Sequence, residues 1–311
     1  MSSETKIVIM PLNYNGVDLL EQCLPALLKA VENAKVKCEI CIVDNNSTDN
    51  SKEFVKNNYP GIQFISYSVN RCLTSYNEAI KQSKAPYILI LNNDMIPDSN
   101  FIDPLYKRIK EDKSYFAVSP HVNCPTKSEN YNQRLSAKFQ RGHLAPKGLG
   151  NEPGGTLYFM GGAALIHREK FIELGGFDED FFYFEDNDLS YRAWKKGFPC
   201  IYEPASNVTH LGSQTVNKVY GQAAKNAIKE RSSHIFILKN ISYHPWLKNF
   251  RLWNYLKFFK TIWNLDSDRF KALLEIDNIK KNIKEEADDK ISDPELLSKI
   301  ESLSLAKLNG Y

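Results

Sequence analysis

Through the first 120 residues of the chain, short unbroken apolar runs alternate with segments whose apolar positions recur every three or four residues. The runs read as buried strands over 6–12, 38–43, 62–67, 87–91 and 115–119. The periodic segments read as helices over 17–31, 49–58, 73–83 and 101–110. In the first of them Leu20, Leu24, Leu27, Leu28 and Val31 share one face. Strands alternating with helices of about ten residues predict right-handed βαβ units, and hence an α/β fold with a mainly parallel sheet flanked by helices.

The pattern then breaks. Residues 121–155 are rich in Pro, Gly, Asn and Lys and lack a clear period, so they read as a long loop or insertion. Regular structure is expected again over 156–167 and 168–174. A helix is expected over 185–196, ended by Gly197, and one or two short strands over 199–211. From about residue 220 the pattern is helical. The division expected is an α/β domain over 1–220, in two parts, 1–120 and 121–220, followed by a C-terminal helical extension over 221–311.

Within that extension, residues 246–265 carry many apolar positions together with Lys248, Arg251, Lys257 and Lys260 and no acidic residue before Asp266. Such a helix either packs on the α/β domain with its lysines in water or lies at a membrane surface. No apolar stretch approaches the roughly 18 residues of a membrane span, and the polar opening Met1–Thr5 does not resemble a signal peptide. Six cysteines are scattered over 311 residues, which suits a reducing compartment. The expected location is cytoplasmic, with peripheral contact at the inner face of the cytoplasmic membrane. The 42% hydrophobic content is that of a globular protein, and a net charge of +3 gives no global reason to expect nucleic acid as a partner. Nothing in the sequence fixes an oligomeric state.

In a parallel α/β sheet, ligands bind beyond the carboxyl ends of the strands. The residues there are Asn13-Tyr14-Asn15-Gly16, Asp44-Asn45-Asn46-Ser47-Thr48-Asp49 and Asn92-Asn93-Asp94. Three polar loops converging on one edge would form a crevice suited to a nucleotide. Neither Gly-rich phosphate-binding pattern is present, so a divalent cation is the natural partner for a diphosphate. Cys38 and Cys41 form a C-x-x-C spacing, but within a strand these positions diverge. Asp49, just before a helix, reads as an N-terminal cap.

The run Ile-Val-Asp44-Asn-Asn-Ser-Thr-Asp49-Asn-Ser resembles the second-strand signature of family 2 glycosyltransferases, which have the GT-A fold. Leu89-Ile-Leu-Asn92-Asn93-Asp94 resembles their D-x-D position. Phe182-Tyr-Phe-Glu185-Asp186-Asn-Asp188-Leu-Ser-Tyr-Arg192 resembles their E-D acceptor-side motif. Met160-Gly161-Gly162-Ala163 and Gly175-Gly176-Phe177-Asp178-Glu179 match in order and spacing. The resemblance covers 6 to about 215, and the rhamnosyltransferase-like branch is the most similar.

That resemblance implies an inverting transfer of a sugar, rhamnose in that branch, from a UDP- or dTDP-sugar to a glycan or lipid-linked acceptor hydroxyl in cell-surface polysaccharide synthesis. Asp186 would be the catalytic base. Asp44 would accept the imino N–H of the base, with Tyr14 beside it and Leu12 offering backbone groups. Arg71 would face the base or diphosphate. Asn92 and Asn93 would contact the nucleotide sugar, and Asp94 with His210 would hold Mn2+ or Mg2+. Gly161, Gly162 and Glu185 would contact the acceptor or the donor sugar. Asp188 and Arg192, four apart on a helix, read as a local ion pair, and residues 212–219 as a lid over the donor.

Asparagine at 92 and 93, where the family usually has aspartate, lowers the negative charge offered to a cation. It leaves open a second reading, a non-catalytic nucleotide-sugar-binding protein descended from such an enzyme. A nucleotidyltransferase would need a Gly-rich basic loop after the first strand, which this chain lacks.

Overall fold

The computed structural model of the chain describes residues 5–125, 134–212, 222–263 and 290–308. Four strands, β1 (Ile7–Asn13), β2 (Cys38–Asp44), β3 (Gln63–Ser66) and β4 (Tyr87–Asn92), lie parallel in the order β3-β2-β1-β4. They are joined by α1 (Val17–Asn33), α2 (Ser51–Asn58) and α3 (Tyr76–Gln82), the last preceded by a single 3-10 turn over Cys72–Ser75. Apolar side chains on both faces of β1, β2 and β4 are buried, which is why these strands read as mainly apolar runs, while β3 at the sheet edge is partly exposed.

The second half of the sheet is mixed. Strand β5 (Met95–Pro97) follows β4 and leads into α4 (Ile102–Glu111) and β6 (Ala117–Asn123). The 121–155 stretch contains regular structure where an irregular loop was expected. It ends β6, forms a two-stranded sheet from β7 (Leu135–Gln140) and β8 (His143–Gly148), and adds β9 (Gly154–Gly155). Then come β10 (Ala163–His167), α5 (Arg168–Glu173) and α6 (Glu185–Lys195). Residues 200–210 form one strand, β11 (Cys200–His210), with a register break between Glu203 and Asn207. Strand β10 runs antiparallel between β4 and β6, and β11 pairs parallel with β6 and antiparallel with β5 and β9.

Two cores flank the sheet. Leu20, Leu24 and Leu27 of α1 and Ile102, Leu105 and Ile109 of α4 cover one face. The other is covered by Tyr76 and Ile80 of α3, Phe171 of α5, and Leu189 and Tyr191 of α6. The extension joins that second core through Ile235 and Phe236 of α7 (Gln222–Asn240), Phe250 of α8 (His244–Trp263), and Leu296 and Ile300 of α9 (Asp293–Ser302). No helix among the described residues is long and apolar enough to cross a membrane. The expected lid lies outside the described residues beyond Gly212.

Candidate active site

Strands β1, β2 and β4 end at Asn13, Asp44 and Asn92, and the antiparallel register of β10 sets Ala163 against Leu91 at the same rim. Asp44 is only 3% exposed. Its Oδ1 accepts from Asn13 Nδ2 at 2.8 Å and from the Ser47 hydroxyl at 2.6 Å, and its Oδ2 accepts from the Ser47 backbone N–H at 2.9 Å. A carboxylate offers about four acceptor sites, so one direction at Oδ2 remains for a ligand donor. Asn13 turns its own amide oxygen to Asn93 Nδ2, 2.8 Å away, and the Asn93 backbone N–H donates to the Leu12 carbonyl. A buried run of side-chain hydrogen bonds therefore leads from Asp44 to the residue beside Asp94.

Around this run the loops are tied to one another. Half-buried Tyr14 lies between Asn13 and Asn15, which is left-handed at φ 46° and accepts from the Thr48 backbone N–H at 2.7 Å. Asp49 accepts from the first N–H groups of α1 (Val17, 3.0 Å) and α2 (Ser51, 3.1 Å), so it caps two helices. Arg71 opens the 3-10 turn, its carbonyl accepting from Thr74, while its side chain is exposed.

Strand β5 begins immediately after Asp94, and its pairing sets Met95 opposite His210. This brings His210 Nε2 to 3.0 Å from Asp94 Oδ2, with Cys124 Sγ 3.7 Å from the other ring nitrogen. The hydrogen bond to Asp94 raises the His210 pKa above its ordinary value. Asp94 Oδ1 is buried with no hydrogen-bond partner.

Leading into α6, Tyr183 and Phe184 are both left-handed, with φ of 73° and 76°. Two consecutive non-glycine residues in this region store on the order of 1–3 kcal/mol each. They turn the chain sharply into α6 and set Glu185 and Asp186 in its first turn. Asp186 Oδ2 accepts from the Gly161 backbone N–H at 3.0 Å and Oδ1 from the Asn187 N–H at 2.9 Å. A Cβ at Gly161 would lie 3.1 Å from Asp186 Oδ2 and 2.9 Å from Leu73 Cδ1, so only glycine admits this approach. The Gly162 carbonyl accepts from the Asn92 N–H at 2.8 Å. The pair Gly161–Gly162 thus joins the end of β4 to the start of α6. Burial raises the Asp186 pKa above the ordinary carboxylate range and pushes Glu185 up to about 7.

Asp44, Asp94 and Asp186 therefore lie along one rim of the sheet, linked through Asn13–Asn93 and Gly162–Gly161. Asp188 and Arg192 form the expected pair at 2.6 Å, and Asp188 also accepts from Asn240 of α7 at 2.8 Å. Sequence reading placed Asn13 in the polar loop after the first strand but gave it no individual role, because its bonds to Asp44 and Asn93 join residues far apart in the chain. It gave none to α7, whose contacts with α6 leave no local pattern.

A parallel half-sheet, a rim that carries Asp44, Asp94 and Asp186, and a strained turn into α6 fit a glycosyltransferase of the GT-A fold. The model of the family described as "Glycosyl transferase family 2" matches residues 7–175, and the chain belongs to that family. An N-acetylglucosaminyl-diphospho-decaprenol L-rhamnosyltransferase of Mycobacterium tuberculosis is 25% identical over 260 residues, which cover 74% of this chain and 83% of the relative. A poly-beta-1,6-N-acetyl-D-glucosamine synthase of Staphylococcus aureus is 24% identical over 216 residues, covering 68% of this chain and 51% of the synthase. Among solved structures, the mannosyltransferase PcManGT from Pyrobaculum calidifontis, in complex with GDP-Man and Mn2+, superposes with a TM-score of 0.58 at 17% identity. That match covers 88% of this chain and 75% of PcManGT. GalNAc-T7 with UDP, GalNAc and Mn2+ gives 0.58 at 16% identity over 82% of this chain and 55% of its own.

Proposed function

We propose that the chain transfers a sugar, with rhamnose as the first candidate, from a dTDP- or UDP-sugar to a hydroxyl of a glycan or lipid-linked acceptor, with inversion at the anomeric carbon. The observation that carries this reading is the placement of Asp186 on the same rim as Asp44 and Asp94. Asp44 offers its remaining acceptor direction to the imino N–H of uracil or thymine, beside Tyr14 and the backbone of Leu12. Asn92 and Asn93 face the ribose and diphosphate, with Arg71 reaching them from its exposed position. Gly161, Gly162 and Glu185 bound the space for the donor sugar and the acceptor.

The rim suits a divalent ion. Asp94 Oδ1 is a buried acceptor without a donor, and His210 stands beside the other oxygen. Among the described residues no group of three His, Cys, Asp or Glu side chains is arranged to hold a metal ion, so diphosphate oxygens and water would complete the shell. Asp94 and His210 would hold Mn2+ or Mg2+, which would stabilise the charge developing on the leaving nucleoside diphosphate. Two proteins of the same fold, GalNAc-T7 and PcManGT, have structures that contain Mn2+, which supports a divalent ion as cofactor.

Asp186 takes the proton from the acceptor hydroxyl as that oxygen bonds to the anomeric carbon and the bond to the diphosphate breaks. Positioned base catalysis of this kind contributes roughly 10² to 10⁴-fold. The hydrogen bonds from Gly161 and Asn187 fix the carboxylate while each oxygen keeps an acceptor direction free. With one such base and no second nucleophile proposed, direct displacement inverts the configuration.

The extension has a place in the same reading. On α8, Lys248 and Arg251 are exposed beside Leu252, Tyr255 and Leu256, whose exposures are 55%, 60% and 50%. This basic and apolar face supports contact with an anionic membrane surface that would present a lipid-linked acceptor. A thermal-shift panel of UDP-, dTDP- and GDP-sugars, with and without manganese, tests the donor assignment. Manganese-dependent stabilisation by dTDP-rhamnose or a UDP-sugar is expected. Equal response to GDP-sugars, or none to any of them, would overturn it.

A further inference from the structure

The turn that aims Asp186 is strained: Tyr183 and Phe184 are both left-handed with ordinary side chains. A series of contacts that hold it comes from α7, beyond the matched family region. Lys239 Nζ donates to the carboxylates of Asp178 and Asp180, 2.6 Å from each. Arg231 donates to the Asp180 carbonyl and the Ser232 hydroxyl to the Phe182 carbonyl, both at 2.9 Å. Lys229 lies over the Tyr183 ring at 5.3 Å, and Phe236 packs against Phe184 at 6.3 Å between ring centroids. One turn into α6, Asn240 donates to the buried Asp188 carboxylate.

Ser232, Phe236, Lys239 and Asn240 recur at helical spacing on one face, so a single rigid element grips the segment from Asp178 to Asp188 at successive points. A pair of carboxylates sharing one lysine is a device for holding a loop in one conformation. The buried partners, Asp188 and Asn240, leave that helix little freedom to slide.

We propose that this face of α7 is a clamp, with Lys239 and Asn240 as positioning residues that keep the left-handed turn in place and so hold Asp186 at the Gly161 N–H. The inference rests on the assignment of Asp186 as the base, and the test separates the two. In the full chain, wild type is compared with Lys239→Ala and Lys239→Arg. The measurements are amide hydrogen exchange, and the pH profile of kcat and KM for dTDP-rhamnose hydrolysis with manganese.

The clamp predicts that Lys239→Ala speeds exchange at least tenfold across residues 178–188 and at Gly161 while β1 and β2 keep their protection. It predicts a kcat at least tenfold lower with KM within twofold, an acid limb of the profile moved toward lower pH as the carboxylates become hydrated, and recovery of most of each effect by Lys239→Arg. Unchanged exchange over 178–188, or a loss spread evenly over the whole chain, would overturn the clamp. If the exchange result holds while Asp186→Asn still turns over donor, the base assignment fails and the clamp stands as a structural feature. If wild type does not hydrolyse dTDP-rhamnose, the exchange comparison alone decides.

Discussion

At the scale of single residues, the site works by burying carboxylates unequally. Asp44 is buried but satisfied by Asn13 and Ser47. Asp94 is buried with one oxygen unpartnered. Glu185 is buried enough to raise its pKa from 4.5 to about 7. That shift has a sign for stability. Between these two values the folded state binds the proton more tightly than the unfolded chain, so stability falls as pH rises through about 7. At 1.36 kcal/mol per unit, the penalty above pH 7 is on the order of 3 kcal/mol. Glu185→Gln should therefore melt several degrees higher than wild type at pH 8 and close to it at pH 4.5, in thermal unfolding followed by circular dichroism. Parallel melting curves across that range would remove the burial argument. Asp44 and Asp94 were legible because strand ends can be located from periodicity, whereas Asp186 was singled out by the resemblance of Glu185-Asp186 to the family's motif. Their hydrogen-bond states were not, since Asn13 and Gly161 act on them from 31 and 25 residues away.

At the scale of elements, α6 was the most legible part of the chain beyond residue 120. Gly197, left-handed at φ 81°, ends it, with the Gly197 N–H on the Trp194 carbonyl and the Phe198 N–H on that of Ala193. The hairpin β7–β8 was missed. Its signal was present as the alternation Leu135, Ala137, Phe139 and the Arg141-Gly142 turn, but it is short and broken by polar residues because only one face packs inward. That face meets α8: the Phe139 and Trp246 rings stack at 4.7 Å and 2°, and the Gly142 N–H donates to Asn249 at 2.8 Å. The stack acts together with Phe250, buried in the core, and the contact of Asn254 with His234 at 2.9 Å in seating α8. Trp246→Ala should lower stability by about 1–3 kcal/mol, seen as a lower urea midpoint at unchanged slope. A shift within the error of wild type would mean that α8 is held elsewhere.

At the scale of the whole molecule, α9 belongs to the core that α6 covers. Asp293, fully buried at the start of α9, accepts from the Tyr191 hydroxyl at 2.7 Å, from Lys195 at 2.8 Å, and from the N–H groups of Ser242 and Tyr243 at 2.9 and 2.6 Å. One carboxylate thus ties together α6, the start of α8 and α9. Removing it leaves the buried Lys195 without its counter-ion, so Asp293→Ala should cost about 3–5 kcal/mol in denaturant unfolding, and a loss under 1 kcal/mol would show that the tie is dispensable. The charged C-terminal sequence hid this role, because a single buried aspartate looks no different from a solvated one until its partners are known. The central claim is that donor binding and proton abstraction are carried by different carboxylates on one rim. It is tested most directly by measuring, on Asp186→Asn, both calorimetric binding of dTDP-rhamnose with manganese and its turnover. Binding within threefold of wild type with turnover reduced by roughly 10² or more is the predicted result, and loss of binding in step with turnover, or full turnover, would contradict it.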